Sequence, residues 1–133
     1  MFGALDTSTS ALVAQRTRMN AISANLANRG ANFDANGENN PFQRRIAILA
    51  PGDPATGNPA GVHVKEIMLD QNYQKKYDPT NEHADEDGYI KTTNIDPMME
   101  QVNALEASRA YEANIAAAEA TKSMIQTSLR LLA

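Results

Sequence analysis

The chain has no cysteine and no tryptophan, and only three phenylalanines among its 133 residues. Without thiols there is no disulfide and no thiolate metal site, although this identifies no compartment. With so few large aromatics, a single small domain has limited means of building a core. Long apolar runs are also missing. The longest, Ile46 to Ala50, falls far short of the roughly 20 residues a membrane-spanning helix needs. The start of the chain carries Asp6 and several Ser and Thr in place of a basic segment and an apolar run. No secretory signal is therefore expected, and any export would use another route. The formal net charge is −4 and no basic stripe is present, which argues against nucleic acid as a partner.

Motifs that carry chemistry are equally scarce. Ser8, Ser10, Ser23, Ser108, Ser123 and Ser128 all fall in stretches that read as helical, and none lies on a strained strand-to-helix turn. The two histidines, His63 and His83, lie in the middle of the chain. There is no CxxC, no HExxH and no phosphate-binding glycine loop ahead of a helix. If Gly88 took the turn position of an EF-hand loop, Asp85 and Asp87 would fall on ligand positions. The two anchoring positions would then be His83 and Asn94, where carboxylates are required. The cluster reads as a solvated acidic turn, with a soluble cation-binding module as the rival reading. Lys75-Lys76 and Arg44-Arg45 are isolated basic pairs; Tyr73 and Tyr77 flank the first like a single-strand stacking surface, but with Asp78 and Glu82 following it reads as a solvated strand face. No catalytic residue, cofactor or metal ligand is assigned, which favours a structural role.

The best-organised stretch is Asp96 to Ala133. Asp96 is a good N-cap and Pro97 suits a first helical turn. No Gly or Pro follows, and six of the eleven residues from Ala110 to Ala120 are Ala. A helix over all of it would be roughly 50 Å long, too long for the core of so small a globule. Tyr111, Ile115, Ala118, Lys122, Ile125, Leu129 and Leu132 recur at heptad spacing, interrupted only by Lys122. The stripe fits either a bundle helix of a small monomer or a helix packed lengthwise on a neighbour. Glu106/Arg109, Arg109/Glu112 and Glu119/Lys122 are spaced for ion pairs along this helix. Asn114 either sets register beside the seam or lies on a solvated flank.

A second helix is expected from about Asp6 to Asn28, with Asp6 as its cap and Gly30 as its stop. Leu5, Leu12, Met19 and Leu26 recur every seven residues, with Ser8, Gln15 and Ile22 at the alternate positions. Such a helix is marginal alone, and its natural partner is the C-terminal one. Asn28 to Asn40, with five Asn, two Gly and the turn pair Asn36-Gly37, reads as a loop. Arg44, Ile46 and Ile48 suggest a strand ended by Pro51, followed by a Pro/Gly-rich connector through Gly61. Val62 and Val64 begin another strand, with a bulge expected where Ile67, Met68 and Leu69 break the alternation. Tyr73 to Tyr77 and Tyr89 to Thr93 complete the set, with Asp87-Gly88 as a turn. The expected fold is α+β: residues 1–30 and 96–133 form two long helices pairing as an antiparallel coiled coil, and residues 31–95 form a loop and a small β-rich insert.

Two terminal motifs carry a resemblance. Ser108-Arg109-Ala110-Tyr111-Glu112-Ala113-Asn114 resembles the C-terminal signature of the bacterial flagellar axial proteins of the rod and hook. Ala24-Asn25-Leu26-Ala27-Asn28 resembles their N-terminal helix signature. Gln15 to Asn20, Pro41 to Arg45, Tyr77-Asp78-Pro79, Ala84-Asp85, Asp87-Gly88-Tyr89 and Asn94 to Pro97 are similar to the proximal-rod members. Where the family usually places a Thr after the first helix, this chain reads Arg29-Gly30-Ala31-Asn32. The resemblance implies a structural subunit of the periplasmic proximal rod of the basal body. Such a subunit is exported by the flagellar type III apparatus and helps transmit torque from motor to hook. An alternative is another short rod protein at a different axial level. Implied partners are copies of itself, other rod proteins, the inner-membrane ring and the export apparatus. The implied subunit-interface residues are Leu5, Leu12, Met19, Ile22, Asn25, Leu26, Arg109, Tyr111, Glu112, Asn114, Ile115, Ile125, Leu129 and Leu132, with the insert on the outside.

Overall fold

A computed structural model describes residues 2–133. The elements run α1 (Phe2–Ala27), β1 (Arg44–Asp53), β2 (Asn58–Asp70), β3 (Gln74–Tyr77), β4 (Tyr89–Thr92) and α2 (Pro97–Leu132). The fold is α+β, two terminal helices flanking a small antiparallel β region. α2 starts as its sequence dictates: the Asp96 carboxylate accepts from the Met98 amide at 2.9 Å, with Pro97 in the first turn. Its 36 residues extend about 54 Å at 1.5 Å per residue.

The two helices run antiparallel. Arg18 meets Glu106 at 3.4 Å, and Asn25 meets Glu100 at 3.1 Å. On α1 the expected stripe holds: Leu5, Ser8, Leu12, Gln15, Met19, Ile22 and Leu26 are all buried or part-buried. Asp6 is not the cap, because α1 begins four residues earlier, at Phe2, and the Thr7 hydroxyl already donates to the Gly3 carbonyl within the helix. Nor does Gly30 end it by a left-handed turn: α1 ends at Ala27, and the Asn28 backbone N–H and side-chain amide both donate to the Ala24 carbonyl.

On α2 half of the expected seam is displaced. Tyr111, Ala118 and Ile125 face inward, but Ile115, Lys122, Leu129 and Leu132 are exposed. The inward set is Glu100, Ala104, Ala107, Tyr111, Asn114, Ala118 and Thr121, an unbroken alternation of four and three that part-buried Ile125 and Ser128 continue past the start of α1. Small residues win these positions because they let the helices approach closely, whereas large ones would hold them apart. None of the three expected pairs along α2 forms. Glu106 reaches across to Arg18 instead, and an exposed pair on one helix has little to offer against that.

α1 also has a second small-residue stripe. Ser10 Oγ accepts from the Val62 amide at 3.1 Å, and Asn58 donates to Thr7 Oγ1 at 3.0 Å, so the β1–β2 hairpin packs along it. The hairpin is longer than its sequence suggests. β1 continues through Pro51 to Asp53, and the Pro/Gly-rich connector is the far end of the two strands and their tip. Pro51 pairs with Val62, whose own N–H points away from β1, so the missing N–H of Pro51 lies on the open edge and breaks no ladder bond. Gly52, at φ +84°, absorbs the irregularity beside it. The bulge in β2 lies at Lys65, between the pairs Ile48–Glu66 and Leu49–Val64, and Ile67 to Leu69 pair in regular register. β3 and β4 form a separate two-stranded ribbon, closed by an edge-on Tyr77–Tyr89 contact with ring centroids 5.3 Å apart.

The asparagine-rich loop is stitched down by side chains that imitate peptide groups. Asn39 donates to the Lys91 carbonyl and accepts from the Lys91 amide, both at 2.8 Å, as a neighbouring strand would. Asn32 accepts from the Thr93 amide at 3.1 Å, and Phe42 bonds back to Ala31 at 2.8 Å. Three backbone groups of β4 and its exit, the Lys91 N–H and C=O and the Thr93 N–H, are satisfied by these asparagines.

Candidate functional site: the clamp and outer face of the helix pair

One polar cluster ties α1, β1 and α2 together. Asn25, 1% exposed, accepts from the Arg45 amide and donates to the Arg45 carbonyl, both at 2.8 Å. The Asn25 side-chain Nδ2 also donates to Glu100 Oε2 at 3.1 Å. Glu100, likewise 1% exposed, is an acid in the first turn of α2, where the helix dipole favours it. Its second oxygen takes Arg44 Nε at 2.5 Å. A buried carboxylate requires a partner of this kind. The two arginines have different roles: Arg44 neutralises Glu100, and the exposed Arg45 lies over the Phe42 ring at 5.4 Å. Nothing in the sequence marks Glu100, an ordinary first-turn acid; the nearest signal was Asn25 in its motif.

The expected interface residues divide between two surfaces. Leu5, Leu12, Met19, Ile22, Asn25 and Leu26 on α1, with Tyr111, Asn114 and Ile125 on α2, are buried or part-buried within the chain. Asn114 lies in the seam, yet its amide donates to the Ala110 carbonyl of its own helix at 2.7 Å. Arg109, Glu112, Ile115, Leu129 and Leu132 are exposed. The outer face also holds large apolar residues that the sequence reading did not single out. Val102, Leu105 and Met124 are 53–57% exposed, and Leu131 is 83% exposed. An α2 that turns Val102, Leu105, Met124 and its leucines away from α1 presents apolar area to something beyond its own chain.

The register shows where this face is least covered. Arg18 opposite Glu106 and Asn25 opposite Glu100 place Phe2 level with the turn around Lys122. About ten further residues of α2, roughly 15 Å of helix, run on beyond α1.

In the acidic turn, Asp85 Oδ1 accepts from the amides of Asp87 and Tyr89, which accounts for that carboxylate as a turn cap. Among the described residues, no group of three His, Asp or Glu side chains is placed to hold a metal ion. None of the described helices is long and apolar enough to cross a membrane.

Two family models match the helices that build this surface. Residues 5–29 match the flagella basal body rod protein family, and residues 86–131 match the flagellar basal body rod FlgEFG protein C-terminal family. The flagellar basal-body rod protein FlgC of Bacillus subtilis is 37% identical, over 98% of this chain and 97% of its own. FlgC of Aquifex aeolicus is 39% identical, over 95% and 92%, and that of Salmonella typhimurium 38%, over 95% and 93%. Identities of 37–39% over nearly the whole of both chains, with family models on both helical ends, show the family: the chain belongs to the flagellar basal-body rod proteins.

Proposed function

We propose that this protein is a structural subunit of the proximal rod of the flagellar basal body, with no catalytic role. The carrying observation is the inverted distribution along α2: Ala107, Ala118 and Thr121 face α1, while Val102, Leu105, Leu129 and Leu132 face outward. Neighbouring rod subunits, copies of this chain among them, would cover that outer face. Ile115, Leu129 and Leu132 supply apolar contact there, and Arg109 and Glu112 supply polar contacts that fix register. Leu5, Leu12, Met19, Ile22, Asn25, Leu26, Tyr111, Asn114 and Ile125 serve the interface by holding the helix pair in the shape that neighbours read. A contact whose rotation does not close generates a helical tube, and lateral contacts repeated along its axis give it torsional stiffness. The inner-membrane ring at the base and the type III export apparatus, as the route of delivery, complete the proposed set of partners.

Deleting Leu129 to Ala133 in the native host tests this. The expected result is loss of swimming and loss of the truncated chain from isolated basal bodies, with the protein still made. A truncated chain that enters basal bodies and supports swimming would refute the assignment of the interface to α2.

A further inference from the structure

Two loops of this chain share one geometry, although one joins α1 to β1 and the other joins β3 to β4. In Asp34-Ala35-Asn36-Gly37-Glu38, Asp34 Oδ1 accepts from the amides of Asn36 at 2.9 Å and Glu38 at 3.0 Å. The Gly37 amide donates to the Asp34 carbonyl, and the Asp34 amide to the Glu38 carbonyl, both at 3.0 Å. Asp85-Glu86-Asp87-Gly88-Tyr89 repeats this bond for bond. Asp85 Oδ1 takes the Asp87 and Tyr89 amides at 3.1 and 2.8 Å, and the Gly88 amide meets the Asp85 carbonyl at 2.9 Å. Both glycines are left-handed, at φ +80° and +82°.

Each loop encloses a junction open to self-modification, because a glycine nitrogen has no neighbouring Cβ to hinder its attack on the preceding side chain. Asn36 is the one asparagine of the chain followed by glycine. There the Gly37 nitrogen, its proton given to a base in solvent, can bond to Asn36 Cγ. The side-chain nitrogen takes up a proton and leaves as ammonia. Water then opens the five-membered imide at one of its two carbonyls, leaving aspartate or isoaspartate at position 36. The Asp87 carboxylate has no such leaving group, and its junction is packed. A methyl group on Gly88 would lie 3.0 Å from the Tyr77 ring and 3.2 Å from Pro79, whereas Gly37 has nothing within 4 Å. Asn36 and Gly37 are both exposed.

We infer that Asn36 is a site of spontaneous deamidation, and that Asp34 is the positioning residue that keeps it slow in the folded chain. The attacking nitrogen must lose the proton that the Asp34 carbonyl holds. The amide anion this creates is disfavoured beside the Asp34 carboxylate, a like charge. Turning Asn36 Cγ toward Gly37 also disturbs the two bonds that Asp34 Oδ1 makes to the backbone on either side. Isoaspartate would lengthen the main chain by one carbon between Asn32 and Asn39, the two side chains that tie this loop to Thr93 and Lys91. The inference goes beyond the rod assignment and does not depend on it.

The test uses the purified full-length chain at mildly alkaline pH, folded and in guanidinium chloride. Tryptic peptide 30–44 is followed by mass spectrometry for a gain of about one mass unit at position 36, and isoaspartyl methylation confirms the product. Modification should be at least about ten-fold slower folded than denatured, since attack geometry is withheld. Asp34→Ala should bring the folded chain within about three-fold of the denatured rate, with circular dichroism checking that the helices persist. Asp34→Asn keeps an acceptor oxygen and should stay slow; it decides alone if Asp34→Ala unfolds. Equal rates folded and denatured, a fast Asp34→Asn, or a folded Asp34→Ala as slow as the parent would overturn the role of Asp34. So would an Asp85→Ala chain that accelerates position 36 equally. Another asparagine reacting first in the denatured chain would overturn the site itself.

Discussion

The Asn25–Glu100–Arg44 cluster yields a counter-intuitive order of mutational effects. Judged by exposure, Glu100 at 1% should be the more costly residue to lose than Arg44 at 26%. The electrostatics reverse this. Glu100→Ala removes charge-assisted hydrogen bonds of about 1.5–3 kcal/mol, but Arg44 can then swing its guanidinium into water. Asn25 keeps the Arg45 carbonyl as an acceptor for its amide, so it is not orphaned. A net loss of about 2 kcal/mol follows from those terms. Arg44→Ala instead leaves a fully buried carboxylate with one neutral donor. Removing one partner of a buried pair in this way costs about 3–5 kcal/mol. Replacing both, Arg44→Met with Glu100→Leu, removes the desolvation penalty together with the pair, and should lie within about 1 kcal/mol of the parent. Urea unfolding followed by far-UV circular dichroism measures all four chains. The reasoning fails if Glu100→Ala costs as much as Arg44→Ala, or if the double variant is no better than the worse single one.

Two further outcomes follow from local geometry. Asp70 has its pKa lowered below the ordinary 3.8, first by the Asn72 backbone amide and then by the Asn94 side chain. A depressed folded value means stability that is present above the unfolded pKa and lost as pH falls through the folded one. Asp70→Asn should therefore flatten the acid limb of an unfolding-versus-pH curve below about pH 4 and leave neutral behaviour nearly parallel. A methyl group at Gly61 would sit 2.8 Å from Asp53 Cβ and 3.1 Å from Ser10 Oγ, where the hairpin meets α1, whereas Gly30 has nothing within 4 Å. Gly61→Ala should cost about 1–3 kcal/mol by overpacking, against a near-neutral Gly30→Ala, as measured by thermal unfolding.

What could be read from the sequence was what local chemistry decides. Asp96-Pro97 fixes the start of α2 without help from any distant residue, and the α1 stripe consists of residues large enough to show in a periodicity. The two tyrosine-rich strands and the turn at Gly88 were equally local. The misreadings arose where a distant partner decides. Pro51 looked like a strand end because its tolerance depends on which edge of the hairpin is open. Arg44 read as half of an isolated basic pair because its partner lies 56 positions away on another element. The α2 seam was displaced because the search sought large apolar residues, and the actual alternates are Ala107, Asn114 and Thr121. The same search passed over Val102 and Leu105, whose meaning lies in facing away from the chain.

That inversion has an energetic logic. Burying a Leu, Val or Met side chain is worth about 1.5–3 kcal/mol, so the six residues Val102, Leu105, Met124, Leu129, Leu131 and Leu132 hold back at most roughly 9–18 kcal/mol from the isolated chain. Since each is already part-covered, about two-thirds of that is a fairer figure for what neighbours could recover. Association must overcome about 4–15 kcal/mol of lost freedom and side-chain ordering. The withheld area is thus of the right size to offset joining a neighbour and too small to make a single contact irreversible. Turned inward, the same residues would have produced a firmer monomer with a smooth alanine exterior and little reason to polymerise. An alanine seam does the opposite: it holds the helix pair closely but weakly, and leaves the larger share of the apolar stabilisation to be collected only when subunits lie side by side.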